Sequence, residues 1–372
     1  MYLVTNGRLI TRDPDGKGYY EHGAVAYEGS QIVEVGEESA LRAKYADAEI
    51  IDAKGGVIMP ALINAHTHIY SALARGLSIV GNNPTNFYEV LDGTWWAIDR
   101  HLMMDGTRAS ATALYMDSIK QGVTTIFDHH ASYGEIPGTL HTIAEESKRL
   151  GLRSCLCYEV SDRDGEEKCL QAIQENADFI SECEKNKDPM LAAMFGGHAL
   201  FTISDKTFDR MVEANNGRTG YHIHVSEGMN DVYDSLQNYG RRPVQRLQDH
   251  GILGEKTILG HCIHVNTAEM EIIKETGTMV VNNPESNMGN AIGICPVLQL
   301  HKRGILLGMG TDAYTNDMLE SLKVALCSQR SQNCLPNVGW CEVTDMLFKN
   351  NAKIGEKYFP APLGVLKAGA AA

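Results

Sequence analysis

From Val57 onward the chain alternates short apolar runs with longer segments of helical period, and no other feature restricts the fold as much. Eight of these runs read as buried strands: 57–64 (VIMPALIN), 122–128 (GVTTIFD), 152–159 (LRSCLCYE), 191–196 (LAAMFG), 220–225 (GYHIHV), 257–260 (TILG), 278–283 (TMVVNN) and 305–310 (ILLGMG). The clearest helices between them are Glu166 to Lys187, with Leu170, Ile173, Ala177 and Ile180 at helical spacing, and Thr139 to Leu150, with Leu140, Ile143 and Leu150. Eight β-α units in succession predict an α/β fold, a (β/α)₈ TIM barrel over 57–355. A doubly wound sheet is the other arrangement open to this rhythm.

The first 56 residues behave differently. Tyr2-Leu3-Val4-Thr5, Ala24-Val25-Ala26-Tyr27 and Gln31-Ile32-Val33-Glu34-Val35 alternate apolar with polar positions, and an Asp13-Pro14-Asp15-Gly16 turn lies among them. This pattern predicts a small antiparallel, β-sandwich-like domain over 1–56.

Charge then limits the ligand. Lys and Arg number 33 against 47 Asp and Glu, a net charge of −14, which argues against nucleic acid or an anionic membrane as partner and favours a small molecule. Nine cysteines without paired spacing read as reduced thiols. The N-terminus has no charged region leading into an apolar signal core, so the expected location is the cytoplasm. The uncharged stretch 189–204 contains Gly196, Gly197 and His198 and is too short and polar for a bilayer.

The chemistry-bearing residues gather at strand ends. His66 and His68 follow the first run, and their i, i+2 spacing sends both imidazoles to one side. His198 follows the fourth strand, His224 and Glu227 end the fifth, His261 ends the sixth and Asp312 ends the eighth. In a parallel barrel all C-terminal strand ends open on one face, where barrel enzymes build their sites. Polarity at strand ends in general accounts poorly for five histidines and two carboxylates. Imidazoles with one carboxylate suit Zn²⁺, with Fe²⁺ as alternative, whereas Mg²⁺ or Ca²⁺ call for oxygen ligands. Such an ion acidifies water to a nucleophile near neutral pH. Glu227 is then free to shuttle a proton, His261 to orient the nucleophile, and Asp312 both to ligate and to return a proton to a leaving amine.

Several segments together carry a family resemblance: Met59-Pro60-Ala61-Leu62-Ile63-Asn64-Ala65-His66-Thr67-His68, Gly122-Val123-Thr124-Thr125, His222-Ile223-His224-Val225-Ser226-Glu227, Gly260-His261-Cys262-Ile263-His264, Asn283-Pro284-Glu285-Ser286-Asn287-Met288 and Gly310-Thr311-Asp312. With them the chain resembles the amidohydrolase superfamily, in particular its mononuclear aminohydrolase and chlorohydrolase group. Leu91 to Arg100, which holds Trp95 and Trp96, and Asp128 to Ser132, which holds His129 and His130, resemble a narrower aminohydrolase subgroup within it. The resemblance implies metal binding by His66, His68, His224 and Asp312, assistance by Glu227 and His261, and substrate contact by His198. It selects His224 over His222 because the glutamate follows it by three. It also implies that 356–372 begins a return to the small β domain, whose C-terminal partner strands are then missing. Ala61 stands where many relatives carry Gly.

Other motifs fit less well. No lysine occurs in 191–197 or 152–160, so the bridging carboxylated lysine of binuclear relatives has no counterpart. The H-x-E with P-C-x-x-C of unrelated nucleobase deaminases is absent, as are HExxH and GxSxG. Gly308-Met309-Gly310-Thr311-Asp312-Ala313 matches a dinucleotide fingerprint in letters, but at the eighth strand rather than an opening βαβ unit. The expected activity is metal-dependent hydrolytic deamination of a cyclic amidine or aminopurine-like heterocycle, with dechlorination or cyclic amide hydrolysis as the alternatives. Self-association is expected by analogy only.

Overall fold

The computed structural model describes residues 1–372. β1 (Tyr2–Ile10) pairs antiparallel with β2 (Tyr19–Glu28), and β2 with β3 (Gln31–Glu37). β4 (Glu49–Asp52) and β5 (Val57–Ile58) join β1 in parallel, so the small unit is a mixed five-stranded sheet rather than an antiparallel one. The helix Glu38–Lys44 causes the difference: it carries the chain across the sheet, and a strand delivered by a crossover runs parallel to its neighbour. At the other end of the chain, Ile32 N–H donates to Ala370 O and Ala372 N–H to Ser30 O, laying the tail along β3.

The run expected as one strand over 57–64 divides in two. Val57–Ile58 is β5 of the small sheet, and the barrel opens with β6 (Leu62–Thr67). Pro60 separates them, because proline has no N–H to give a ladder. His66 therefore lies inside β6, and only His68 lies beyond it.

The barrel continues through β7 (Val123–Asp128), β8 (Arg153–Leu156), β9 (Leu191–Ala193), β10 (Phe195–Ala199), β11 (Tyr221–Val225), β12 (Ile258–His261), β13 (Met279–Asn282) and β14 (Leu307–Met309). All neighbours pair in parallel. β9 and β10 are halves of the fourth barrel strand, broken at Met194, whose N–H donates to Leu156 O. His198, expected after that strand, sits inside β10. The helices Thr139–Leu150 and Glu166–Asn186 lie where their periodicity places them.

The ring closes where Thr67 bridges Asp312 in parallel and the N–H groups of Thr311 and Asp312 both donate to His66 O. Gly310 permits that approach: a Cβ there would stand 2.6 Å from His66 O. A (β/α)₈ barrel with an N-terminal strand domain results. Inside its lower half, Ile63, Ala65, Phe127, Ile258, Met279 and Val281 form an apolar floor, closed below by Phe359 and Leu363 of the tail. A larger apolar layer separates the strands from the surrounding helices. All nine cysteines are free thiols, and no helix is long and apolar enough to cross a membrane.

Candidate active site

Strand parity aims the site residues. In β11, Ile223 and Val225 pack outward against helices, which leaves His222 and His224 facing the barrel interior. In β6, Ile63 and Ala65 face the interior floor, and a register irregularity between Asn64 and Thr67 shifts the parity so that His66 and His68 point into the mouth. His261 (φ 68°) and Asp312 (φ 56°) end their strands in left-handed conformations. Such strain in non-glycine residues persists where the surrounding structure holds it, and it clusters at functional sites.

One donor atom each from His66, His68, His224 and Asp312 lies within 4.8 Å of the others, and all four residues are buried. His68 Nε2 is 2.9 Å from Asp312 Oδ1 and 3.2 Å from His224 Nε2. His66 Nε2 is 3.9 Å from Asp312 Oδ1 and has no hydrogen-bond partner although fully buried, a cost that a bound cation removes. The opposite ring nitrogens are engaged. His68 Nδ1 donates to His129 O at 2.6 Å, His224 Nδ1 donates to His198 O at 2.7 Å, and His66 Nδ1 lies 2.8 Å from His222 Nε2. These contacts hold the Nε2 atoms toward one point, the arrangement by which outer partners orient metal-binding imidazoles. The donor set fits a divalent ion.

Burial keeps His66 and His224 well below the usual imidazole range, hence neutral as ligands must be. Burial also works to lower His68, but its hydrogen bond to Asp312 raises it to about 9, and an incoming cation would replace that proton. Asp312 stays ionised against the pull of burial because His68 hydrogen-bonds it; Ser286 donates a further hydrogen bond to Oδ2.

Glu227 and His261 adjoin this set. Burial, reinforced by the nearby Asp312 and Asp231 charges, pushes the Glu227 carboxyl well above its usual range, so it carries a proton. His261 Nε2 lies 3.6 Å from Glu227 Oε1 and 3.7 Å from Asp312 Oδ2. Its Nδ1 donates to Asn287 Oδ1 at 2.7 Å, which leaves Nε2 as an acceptor at the edge of the site, with Asn283 Nδ2 3.3 Å from it. Asp231 accepts from Ser226 N–H at 2.7 Å and Phe201 N–H at 3.1 Å, fixing the loop that carries Glu227.

The cavity above these groups is walled by His68, Tyr70, Trp95, Trp96, Glu159, His198, His224, Glu227 and Asp312. Every site residue expected from the sequence is thus brought together. The two tryptophans form an aromatic wall, Trp96 edge-on to His198 at 5.9 Å and Trp95 edge-on to Tyr70 at 6.2 Å. His222 stands behind His66. His129 is fully buried between Glu159 and His222 O, and His130 bonds Ser132 among core tyrosines, so neither borders the cavity. Glu159 was not singled out in the sequence. It ends the third strand run, and the strand-end rule that flagged Asp312 applies to it equally.

The fold and this cluster define a metal-site barrel hydrolase. Residues 57–353 match the Amidohydrolase family, and the chain belongs to that family; it is a hydrolase acting on carbon–nitrogen bonds. The 5'-deoxyadenosine deaminase of Methanosarcina barkeri is 29% identical over 328 residues, which cover 87% of this chain and 72% of that protein. The 5-methylthioadenosine/S-adenosylhomocysteine deaminase of Syntrophobacter fumaroxidans is 31% identical over 313 residues, 83% of this chain and 68% of its own length. Among solved structures, an adenosine deaminase from Xanthomonas campestris with bound zinc superposes with a TM-score of 0.85 at 23% identity, covering 100% of this chain and 83% of the other. The atrazine chlorohydrolase TrzN from Arthrobacter aurescens TC1 in complex with zinc gives 0.81 at 23% identity, with 100% and 86% covered.

Proposed function

We propose that this protein is a zinc-dependent hydrolytic deaminase of a cyclic amidine or aminopurine-like heterocycle, with His66, His68, His224 and Asp312 as the metal ligands. One observation carries the reading: two carboxyl groups, Glu227 and Asp312, face the same space as three convergent imidazole nitrogens, with His261 between them. The names of the two curated relatives above, a 5'-deoxyadenosine deaminase and a 5-methylthioadenosine/S-adenosylhomocysteine deaminase, support it.

When bound, Zn²⁺ lowers the pKa of water toward 7 and so supplies the nucleophile. The remaining work falls to the chain. His261 Nε2 accepts a hydrogen bond from the attacking water and orients it. Glu227 gives its proton to the ring nitrogen beside the reacting carbon, so that negative charge does not build up there. Asp312 takes the proton released by the water and passes it to the amine as the carbon–nitrogen bond breaks, the proton left on the added hydroxyl returns to Glu227, and the products are the oxo heterocycle and ammonia. His198, Trp95 and Trp96 hold the ring flat in the cavity and exclude bulk water.

The test is metal analysis of the purified protein, followed by ammonia assays across purines, pyrimidines and triazines. Zinc with ammonia release is the expected result. Chloride release from a chlorotriazine without any ammonia would replace this reading by dechlorination.

A further inference from the structure

At the end of the barrel opposite the candidate ligands, β8 opens with Arg153. Strand parity turns Arg153 to the side of Cys155, which lies in the apolar floor, and Thr125 to the side of Phe127. The two residues thus form the lowest layer of the lumen, a place that barrel folds fill with apolar side chains. Arg153 is only 6% exposed. It donates one hydrogen bond, from Nη1 to Thr125 Oγ1 at 3.0 Å, and its guanidinium lies 6.0 Å from the centre of the Phe359 ring. No carboxylate of the chain pairs with it, and burial pulls the guanidinium below the usual arginine range with nothing to offset the effect. A guanidinium carries five N–H donors in a planar fork, so most of this one is unused. An unpaired buried charge is costly, and an arginine that needed only its stem covered would carry its head out to water.

What Arg153 faces is a cavity of about 410 Å³ between the lower end of the barrel, the small sheet and the tail. Val4, Val25 and Ile32 of the small sheet, Ile58 of β5, and Leu363 and Leu366 of the tail supply apolar walls. The volume lies in the range of small-molecule sites. The cavity shares no lining residue with the one above the candidate ligands and does not depend on the reaction there. We propose that it is a binding site for a monocarboxylate with an apolar tail, the head held by the unused donors of Arg153 and the tail laid between the small sheet and the barrel. A carboxylate matches the guanidinium fork in shape and cancels the buried charge, and an apolar tail suits the aliphatic walls. Because those walls come from three parts of the chain, an occupied cavity also ties the small sheet to the barrel.

Octanoate and 1-octanol share a tail and differ in the head, which makes them the probes. In calorimetric titrations of the zinc-loaded full chain, octanoate should bind about tenfold or more tightly than 1-octanol, and it should raise Tm. Arg153→Met keeps an apolar stem and removes the fork. It should weaken octanoate by about tenfold or more and leave 1-octanol within about threefold, with zinc content unchanged. If Arg153→Met does not fold, Val365→Trp, at a half-buried wall position of the tail, narrows the cavity with Arg153 intact and should weaken both ligands by about tenfold. Octanoate bound no more tightly than 1-octanol, or no binding of either, overturns the proposal. An undiminished octanoate affinity in the folded Arg153→Met chain or in Val365→Trp overturns it as well. Octanoate binding that disappears when zinc is chelated and survives both substitutions belongs to the metal, and it counts against the proposal in the same way.

Discussion

The two halves of the barrel interior are built from the same strands and are equally buried, yet they are made of opposite materials. Below, Ile63, Phe127, Ile258, Met279 and Val281 fill the lumen with apolar side chains that hold one another by contact alone. Above, His66, His68, His129, His222, His224, Glu159 and His261 crowd the same lumen with groups that each need a particular partner. The lower half stabilises the ring without directing chemistry, whereas the upper half gives up stability for geometry, and His66 Nε2 and His222 Nδ1 remain without any partner in the chain. Substitutions should therefore separate the halves, with losses of activity above and losses of stability below.

The sharpest expected separation is at the ligands. Asp312→Asn or His68→Ala should lower kcat/KM by on the order of 10³-fold or more while circular dichroism shows a folded barrel. Retention of more than about a tenth of the rate would contradict the roles given to these residues. Removing the ion with a chelator should abolish turnover and lower Tm, and added Zn²⁺ should restore both. An ion present at a hundred times its Kd contributes about 2.7 kcal/mol of stability. His222→Ala should weaken zinc affinity by about 10- to 100-fold, read in a competition titration, because His66 loses the contact that orients it. An unchanged affinity would mean that the upper half does not depend on its outer partners. Below, Met279→Ala should cost about 2–5 kcal/mol in chemical denaturation with kcat unaltered in the folded fraction. Ile51→Thr, on the exposed face of the small sheet, should shift stability by no more than about 0.5 kcal/mol.

Much of the upper half was legible in the sequence because its residues occupy strand ends, and strand ends could be counted. His66, His68, His224, Glu227, His261 and Asp312 followed from that count together with the family resemblance. Where the reading failed, long-range pairing was responsible. Val57–Ile58 looks continuous with the first barrel strand, and its pairing with Arg8 and Leu9 depends on a partner some fifty residues away. The parallel attachment of β4 was equally invisible, since alternation within a strand does not encode the direction of its neighbour. Glu159 was missed for another reason: a single glutamate after an apolar run has no spacing partner to mark it, and its significance comes from His129 and His198 on other strands.

The seam at Gly310 has a consequence for how the molecule comes into being. The candidate ligands lie on the first barrel strand, on the fifth, and just past the last, so the ion's holder is distributed over most of the chain's length. During synthesis the three histidines emerge long before Asp312, and a cation captured early would sit on an incomplete holder with the barrel still open. Firm retention must wait until β14 docks beside β6 and Asp312 arrives with it. Metal loading and ring closure are in that sense a single late event, and a folded chain that holds its ion firmly is one whose last strand has found its first.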